Sequence, residues 1–359
     1  MRRNLFDMAN HNNALPALSV LIITTMGVAT ASTPAAAIEF NFGFSEGTPQ
    51  DVINGFNAAA SAWSSVLKDD VTINLDIRYE PYTSSSLGQF SPTRVNVAYR
   101  DLVSALTADI TSVDDATAIA NLPKSSDFDL MINPEFDLLL NGTQNNPNGE
   151  GSLVPFADTD GDCNNRSIRL TSANVKALGL PMGGTNNCAP ASFNTATNLD
   201  GSILLNSTFA WDFDRTNGIE ADAYDFVGIV TQGLGVTLGF VSGVDVLDFN
   251  SPLESGSRPV FFNDDQFPFV SPVDLFRFSQ ESVALAESEG LLTLIDWTTG
   301  RRDASGQDID KYFSIDGGTT KIASFSTGIR HGDGYRASSW KADELGGSYI
   351  GIMEPSPSL

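Results

Sequence analysis

Apolar and polar residues alternate through IEFNFGF at 38–44, and a period of two is that of a β-strand. The period lengthens over 48–67, where Val52, Phe56, Ala60, Trp63, Val66 and Leu67 fall along one face of a helix. Alternation returns in VTINLDIRY at 71–79, so strand, long helix and strand come first. A short strand at 94–99, helices at 99–110 and 114–122, and a strand at 128–133 are predicted next. After a Gly, Asn and Asp-rich stretch at 141–165, a helix at 170–178 starts with Thr171 or Ser172 as its cap. GSILLNSTF at 201–209 reads as a strand, and runs at 312–316 and 321–325 read as a hairpin about Gly317-Gly318. The organising stretch is YDFVGIVTQGLGVTLGFVSGVD at 224–245. In it Phe226, Val227, Val230, Leu234, Leu238 and Val241 recur at offsets of three and four, the spacing of one helical face. The helix then runs into a turn at 239–243.

Residues 1–37 follow another pattern. Arg2 and Arg3 precede a mostly apolar run at 15–31, and Ala35-Ala36-Ala37 offers an A-x-A site. A signal peptide cut before Ile38 is expected. No later segment is apolar enough to cross a membrane. The remaining chain is long enough for a large core or two intimate halves. Acidic residues number 44 against 20 basic, a formal net charge of −24, which makes nucleic acid and anionic membranes poor partners. Cys163 and Cys188 are expected to pair in an oxidising compartment, and two cysteines fall short of a zinc site. Asp158, Asp160 and Asp162 alternate in a loop and are candidate calcium ligands, set against a plain solvated loop. The EF-hand pattern fails there, with Cys163 at its sixth position and Arg169 at its twelfth. Asp212 and Asp214, with Asn217, make a second calcium candidate. The simpler reading places the acids of this segment at a helix N-terminus, where the dipole favours negative charge.

The zinc pattern HExxHxxG can be laid on the central stretch through Gly239. Its histidines then fall on Gln232 and Val236 and its glutamate on Gly233, while Gly235, Leu238 and Gly239-Phe240 keep the surroundings. On QGLGVTLGFVSGVD at 232–245 the chain resembles secreted bacterial metalloproteases of zincin or metzincin-like type, often with PEP-CTERM sorting, whose segment reads roughly HEIGHALGFVSGVD. WDFDRTNGIEADAYDFVG at 211–228, YFSIDGG at 312–318, FSTG and HGDG within 325–334, ASSWK at 337–341 and GIMEP at 351–355 extend the resemblance in order.

The resemblance implies an α+β, zincin-like fold: a mixed twisted sheet with a long backing helix, a central active-site-type helix, and a smaller irregular C-terminal lobe. The signal peptide would span 1–37, the N-terminal lobe 38–245, and the C-terminal lobe 246–359, shortened at its end. A Pro and Phe-rich segment at 246–276 matches a variable insertion between the lobes. The strand at 201–209 would be the sheet edge that pairs with extended substrate. Met353 would lie in the turn beneath the metal, and Gly239, Phe240, Ser242, Asp245, Ser339 and Trp340 would belong to the cleft. Ser339 stands where the family has a histidine.

His11 and His331 are the only histidines, and His11 lies in the leader. Catalytic zinc takes three protein ligands and an open position for water. Gln232, Val236 and Ser242 do not supply them, and Gly233 cannot take a proton from metal-bound water. No catalytic cofactor is therefore expected, zinc included, and calcium stays open. The expectation is a secreted, catalytically inactive metallopeptidase homologue that keeps a cleft for a peptide or an extracellular protein. Two other readings stand beside it: a zinc protease with atypical ligands, and a calcium-stabilised extracellular structural protein. His331 and Asp333 come without a GxSxG nucleophile, and a glycosidase-type acid pair is left open by so acidic a chain.

Overall fold

Strand, helix and strand form as their periods predict. β1 (Glu39–Phe44) and β2 (Thr72–Glu80) pair in parallel, which requires a crossover, and α1 (Gln50–Val66) supplies it. The computed structural model describes residues 37–132, 154–186, 188, 198–250, 267–300, 307–341 and 351–355. The expected signal peptide, but for Ala37, lies outside them, as does 251–266 of the expected insertion. α1 buries Val52, Gly55, Phe56, Ala59 and Trp63. Its buried stripe thus takes Ala59 rather than Ala60, and Val66, at the helix end, is 51% exposed.

β3 (Gly88–Pro92) is a strand that periodicity does not predict. β4 (Arg94–Ala98) leads into α2 (Tyr99–Ala108) and α3 (Val113–Asn121), and α3 starts on a Ser112–Asp115 capping box. β5 (Leu130–Ile132) and β6 (Phe156–Asp158) are antiparallel. The single turn α4 (Cys163–Arg166) carries Cys163, which is bonded to Cys188 as expected. β7 (Ser167–Thr171) pairs with β4. The helix expected from Leu170 therefore begins only after Thr171, as α5 (Ser172–Ala177), with Thr171 capping it. β8 (Gly201–Asn206) lies parallel to β2 and antiparallel to β3.

β9 (Trp211–Asp212) and β10 (Tyr224–Asp225) pair in parallel just before α6 (Phe226–Thr237) and α7 (Val244–Asn250). β11 (Arg277–Phe278), α8 (Gln280–Glu289) and β12 (Ile295–Asp296) follow. β13 (Lys311–Phe313) and β14 (Ala323–Phe325) form the expected hairpin, with β11 added to β13 and β12 to β5. The fold is α+β with several small sheets.

In the largest sheet the order is β1-β2-β8-β3. This corrects one expectation: β8 is enclosed by β2 and β3, and the edge beside α6 is β3. Gly88 and Pro92 are residues that an edge position tolerates. α1 and α6 pack against this sheet in one apolar cluster. Phe56 and Phe226 meet edge to face at 5.9 Å. A second cluster joins Val95, Tyr99, Leu130 and Ile168 to Val244, Val270, Trp297 and Phe325, so residues on both sides of position 245 share it. No helix among the described residues is long and apolar enough to cross a membrane.

Candidate functional site

α6 begins where Asp225 accepts a hydrogen bond from the Gly228 N–H at 2.9 Å, satisfying a free helix donor. It buries Phe226, Val230 and Leu234 and stops at Thr237. The chain then turns at Gly239, whose φ is +117°. Asn174 from α5 donates to the Leu238 carbonyl at 2.9 Å, and its amide fills the space that a Cβ on residue 239 would need. Only glycine fits that backbone and that neighbour.

The three motif positions on α6 have separate surroundings. Gln232 donates from Nε2 to the Glu354 carbonyl at 2.5 Å, so its amide is tied to the segment around Met353. Gly233 lies under the Phe90 ring of β3, and ring carbons occupy the place where a side chain would begin. Val236 faces an open cleft. Met353 is buried against Gly235, where a Cβ would come within 2.6 Å of its sulfur, and its carbonyl accepts from the Trp340 N–H at 3.1 Å. This donor set does not fit catalytic zinc: one amide already committed, one residue without a side chain, and one alkyl group.

The cleft at the end of α6 has a volume of about 340 Å³. Val236, Phe240 and Ser242 line it from the helix and its turn, Phe90 and Arg94 from β3 and β4, and Asp245 and Phe249 from α7. Ile329, Arg330, Arg336 and Ser338 close it from the opposite loop. Ser242 donates to Asp274 at 2.5 Å and accepts from the Val244 N–H at 3.1 Å, so it fixes the start of α7. Asp245 accepts from the Ala337 N–H and the Ser338 hydroxyl, each at 2.7 Å. Burial raises the Asp245 carboxyl above its ordinary value, against those hydrogen bonds and the pull of Arg336 and Arg277. Asp248 accepts from the backbone N–H groups of Arg330 and His331, both at 2.9 Å. Both acids therefore hold the far wall in place.

Among the described residues, no hydrogen bond engages the side chains of Arg94 and Arg336, in contrast to Arg330 of the same cleft, which donates to the Phe249 carbonyl. Burial lowers the Arg94 pKa; the charge of Asp245 opposes that shift and Arg336 adds to it. Arg169, stacked over Phe269 at 4.7 Å, is lowered to about 10 by burial and by Arg94. Ser339 is not among the lining residues; its backbone bonds to Ser326 and Arg336, and its neighbour Ser338 faces the cleft instead. Trp340 stacks on Phe325 at 4.9 Å and meets Phe240 at 5.1 Å, behind the cleft.

The calcium candidates organise their own loops. Asp158 accepts from Asn164 at 3.0 Å, and Asp160 accepts from the Asp162 N–H at 3.2 Å. Asp212 takes the N–H groups of Asp214 and Glu220, each at 2.8 Å, and Asp214 takes the Thr216 N–H at 2.9 Å. Among the described residues no group of three or more His, Cys, Asp or Glu is placed to hold a metal ion. Sequence reasoning missed Phe90, Arg94 and Arg336. Phe90 and Arg94 sit in GQFSPTR, where polar residues, Gly and Pro mask the strand, and Arg336 carries no local signal at all. The chain matches no family model, no curated protein and no solved structure.

Proposed function

We propose that this chain is an exported, zincin-like metallopeptidase homologue that binds an extended peptide beside α6 and does not cleave it. The observation that carries the reading is the placement of β3 and α6 along one cleft. Among the described residues β3 pairs with β8 on one side only, so its other edge offers backbone donors and acceptors to an added strand. At the position of the family's general base, Phe90 covers Gly233, and Gln232 and Val236 bring no metal ligand. Phe249 and Ile329, 64% and 57% exposed, give the cleft an apolar rim for peptide side chains. The leader pattern and the Cys163–Cys188 bond support export to an oxidising compartment.

The test uses dialysed protein and a set of extended peptides. Expected are saturable binding, intact peptides by mass spectrometry, and zinc far below one ion per chain. Binding should fall sharply when alternate peptide nitrogens are methylated, because methylation removes the donors that face β3. Stoichiometric zinc together with cleavage overturns the reading, as does binding that ignores methylation.

A further inference from the structure

Arg94 stands at the first position of β4, paired through the backbone with Thr171. Its side chain lines the cleft. Its Nε is buried without a hydrogen-bond partner, and among the described residues its guanidinium forms no ion pair. A guanidinium has five N–H donors in a fixed fork. Arg94 is half-buried, and burying even its Nε donor without a partner is costly, as buried polar groups are normally paired. Asp245 is the acid whose charge favours Arg94, yet its oxygens bond to the Ala337 N–H and the Ser338 hydroxyl of the opposite loop, and among the described residues it forms no ion pair with Arg94. Of the other two guanidinium groups of the cleft, Arg330 donates to the Phe249 carbonyl, while Arg336 is exposed and repels Arg94. Three guanidinium groups thus line one cavity, and the half-buried one, Arg94, has a buried donor without a partner.

A planar anion with two acceptor oxygens fits this defect. Carboxylate matches the guanidinium fork in a bidentate way, and its charge relieves the repulsion between the two arginines. The net charge of −24 gives the protein no long-range pull on anions, so capture must be local, at the buried group. We infer that the cleft recognises a ligand carboxylate, held by Arg94 and supported from the other wall by Arg336. That this carboxylate belongs to a peptide rests on the function proposed above; the carboxylate site itself does not. Peptides offer it from two sources, an acidic side chain or the C-terminus.

Three peptides of one neutral sequence separate these sources: C-terminally amidated, free at the C-terminus, and amidated with one glutamate. Their affinities for the parent, Arg94→Gln and Arg336→Gln are measured by fluorescence polarisation. One of the two acidic peptides should bind the parent best. Arg94→Gln should weaken that peptide by about 30-fold, as when one partner of a buried, hydrogen-bonded charge pair is removed. The amidated neutral peptide should be unaffected. Arg336→Gln should cost about 3-fold, being exposed. Equal binding of all three peptides to the parent, or an equal loss of all three on Arg94→Gln, overturns the inference.

A second arm is independent of peptides. Succinate should raise the melting temperature of the parent and not that of Arg94→Gln, since a ligand of the folded form alone stabilises it. If no peptide binds, the peptide reading fails while the succinate result still decides the carboxylate site. Arg94→Gln should also fold with a melting temperature at or above the parent's, because the half-buried guanidinium has no hydrogen-bonded partner to lose. A large drop would reveal a structural partner and overturn the inference.

Discussion

The region around α1 and α6 and the region around β12 and β13 are both buried, and they are held by different forces. In the first, Phe56, Trp63, Ile73, Leu75, Ile203, Phe226, Val230 and Leu234 pack in one apolar cluster. Gly55 lets α1 approach Phe226 closely, since a side chain there would meet the ring. In the second, charges are buried whole. Lys311 donates to Asp296 at 2.6 Å and to Thr298 at 2.8 Å, and neither charged side chain is exposed to solvent. Arg277 donates to the carbonyls of Ala337 and Ser326 and lies over the Phe325 ring. Asp274 accepts from Ser242, Gly243 and Ser271. Apolar packing tolerates exchange of similar shapes; a buried ion pair does not tolerate loss of one partner.

That contrast sets the largest expected effect. Lys311→Met or Asp296→Asn alone should destabilise by about 3–5 kcal/mol, because each leaves a polar or charged partner buried and unmatched. Asp296→Leu with Lys311→Met should recover most of that loss. In the other region, Leu234→Met should cost less than about 1.5 kcal/mol. Urea unfolding of the four variants checks the set. A single Lys311 variant as stable as the parent would erase the difference between the regions.

The same pair has a signature in pH. Burial opposes the Asp296 charge, but Lys311 outweighs it and holds the carboxyl below its ordinary value. The native state therefore binds this proton less readily than the unfolded chain. Its contribution is present above the ordinary carboxylate pKa and disappears as pH falls through the lower folded value. Asp245 and Asp274 are raised by burial, so their contribution has the opposite sign and is lost as pH rises from the ordinary value through the raised one. Measured against pH, the stability gap between the parent and Asp296→Asn should narrow on the acid side. A gap that widens there would reverse this assignment.

The next effect belongs to the disulfide. Cys163 and Cys188 are 25 residues apart, and a loop of that size is worth about 3 kcal/mol through the unfolded chain. Reduction should lower the urea midpoint by a matching amount. Thiol titration of the unreduced, denatured protein should find none free. Two free thiols would remove the bond from the folded protein and the oxidising compartment with it.

The difference between the regions also decides what the sequence discloses. β1, α1, β2 and α6 are legible because apolar contact repeats with the geometry of the element that makes it. β3 is not, since Gly88 and Pro92 are chosen for an edge and break the alternation. Lys311 and Asp296 read as surface residues until their partners, fifteen positions apart, are known to meet. The cleft divides in the same way. Val236, Phe240, Ser242 and Asp245 stand within one stretch and can be found by its motif. Phe90, Arg94 and Arg336 reach it from distant segments through sheet pairing and a loop, and no spacing announces them.

The smallest effect tests the point where the cleft and the apolar region meet. Gly233 is buried in the interior of α6, where glycine is about 1 kcal/mol worse than alanine. Propensity alone therefore predicts that Gly233→Ala stabilises. The Phe90 ring stands where the new Cβ would go, and overpacking a filled site costs about 1–3 kcal/mol. The expected net result is a loss of about 1 kcal/mol. In a Phe90→Ala background the ring is gone, and the same substitution should become neutral or stabilising. That change of sign in a double-mutant cycle is the measurement, because a helix-propensity effect would keep its sign in both backgrounds. It also bears on introducing a zinc motif into α6. Gln232→His, Gly233→Glu and Val236→His should gain zinc affinity only together with Phe90→Ala, which makes room for the glutamate. Equal zinc affinity with and without Phe90 would mean that the ring does not guard Gly233. Gly233 would then be an ordinary helix glycine, and the contact between β3 and α6 would lose its place in the proposed function.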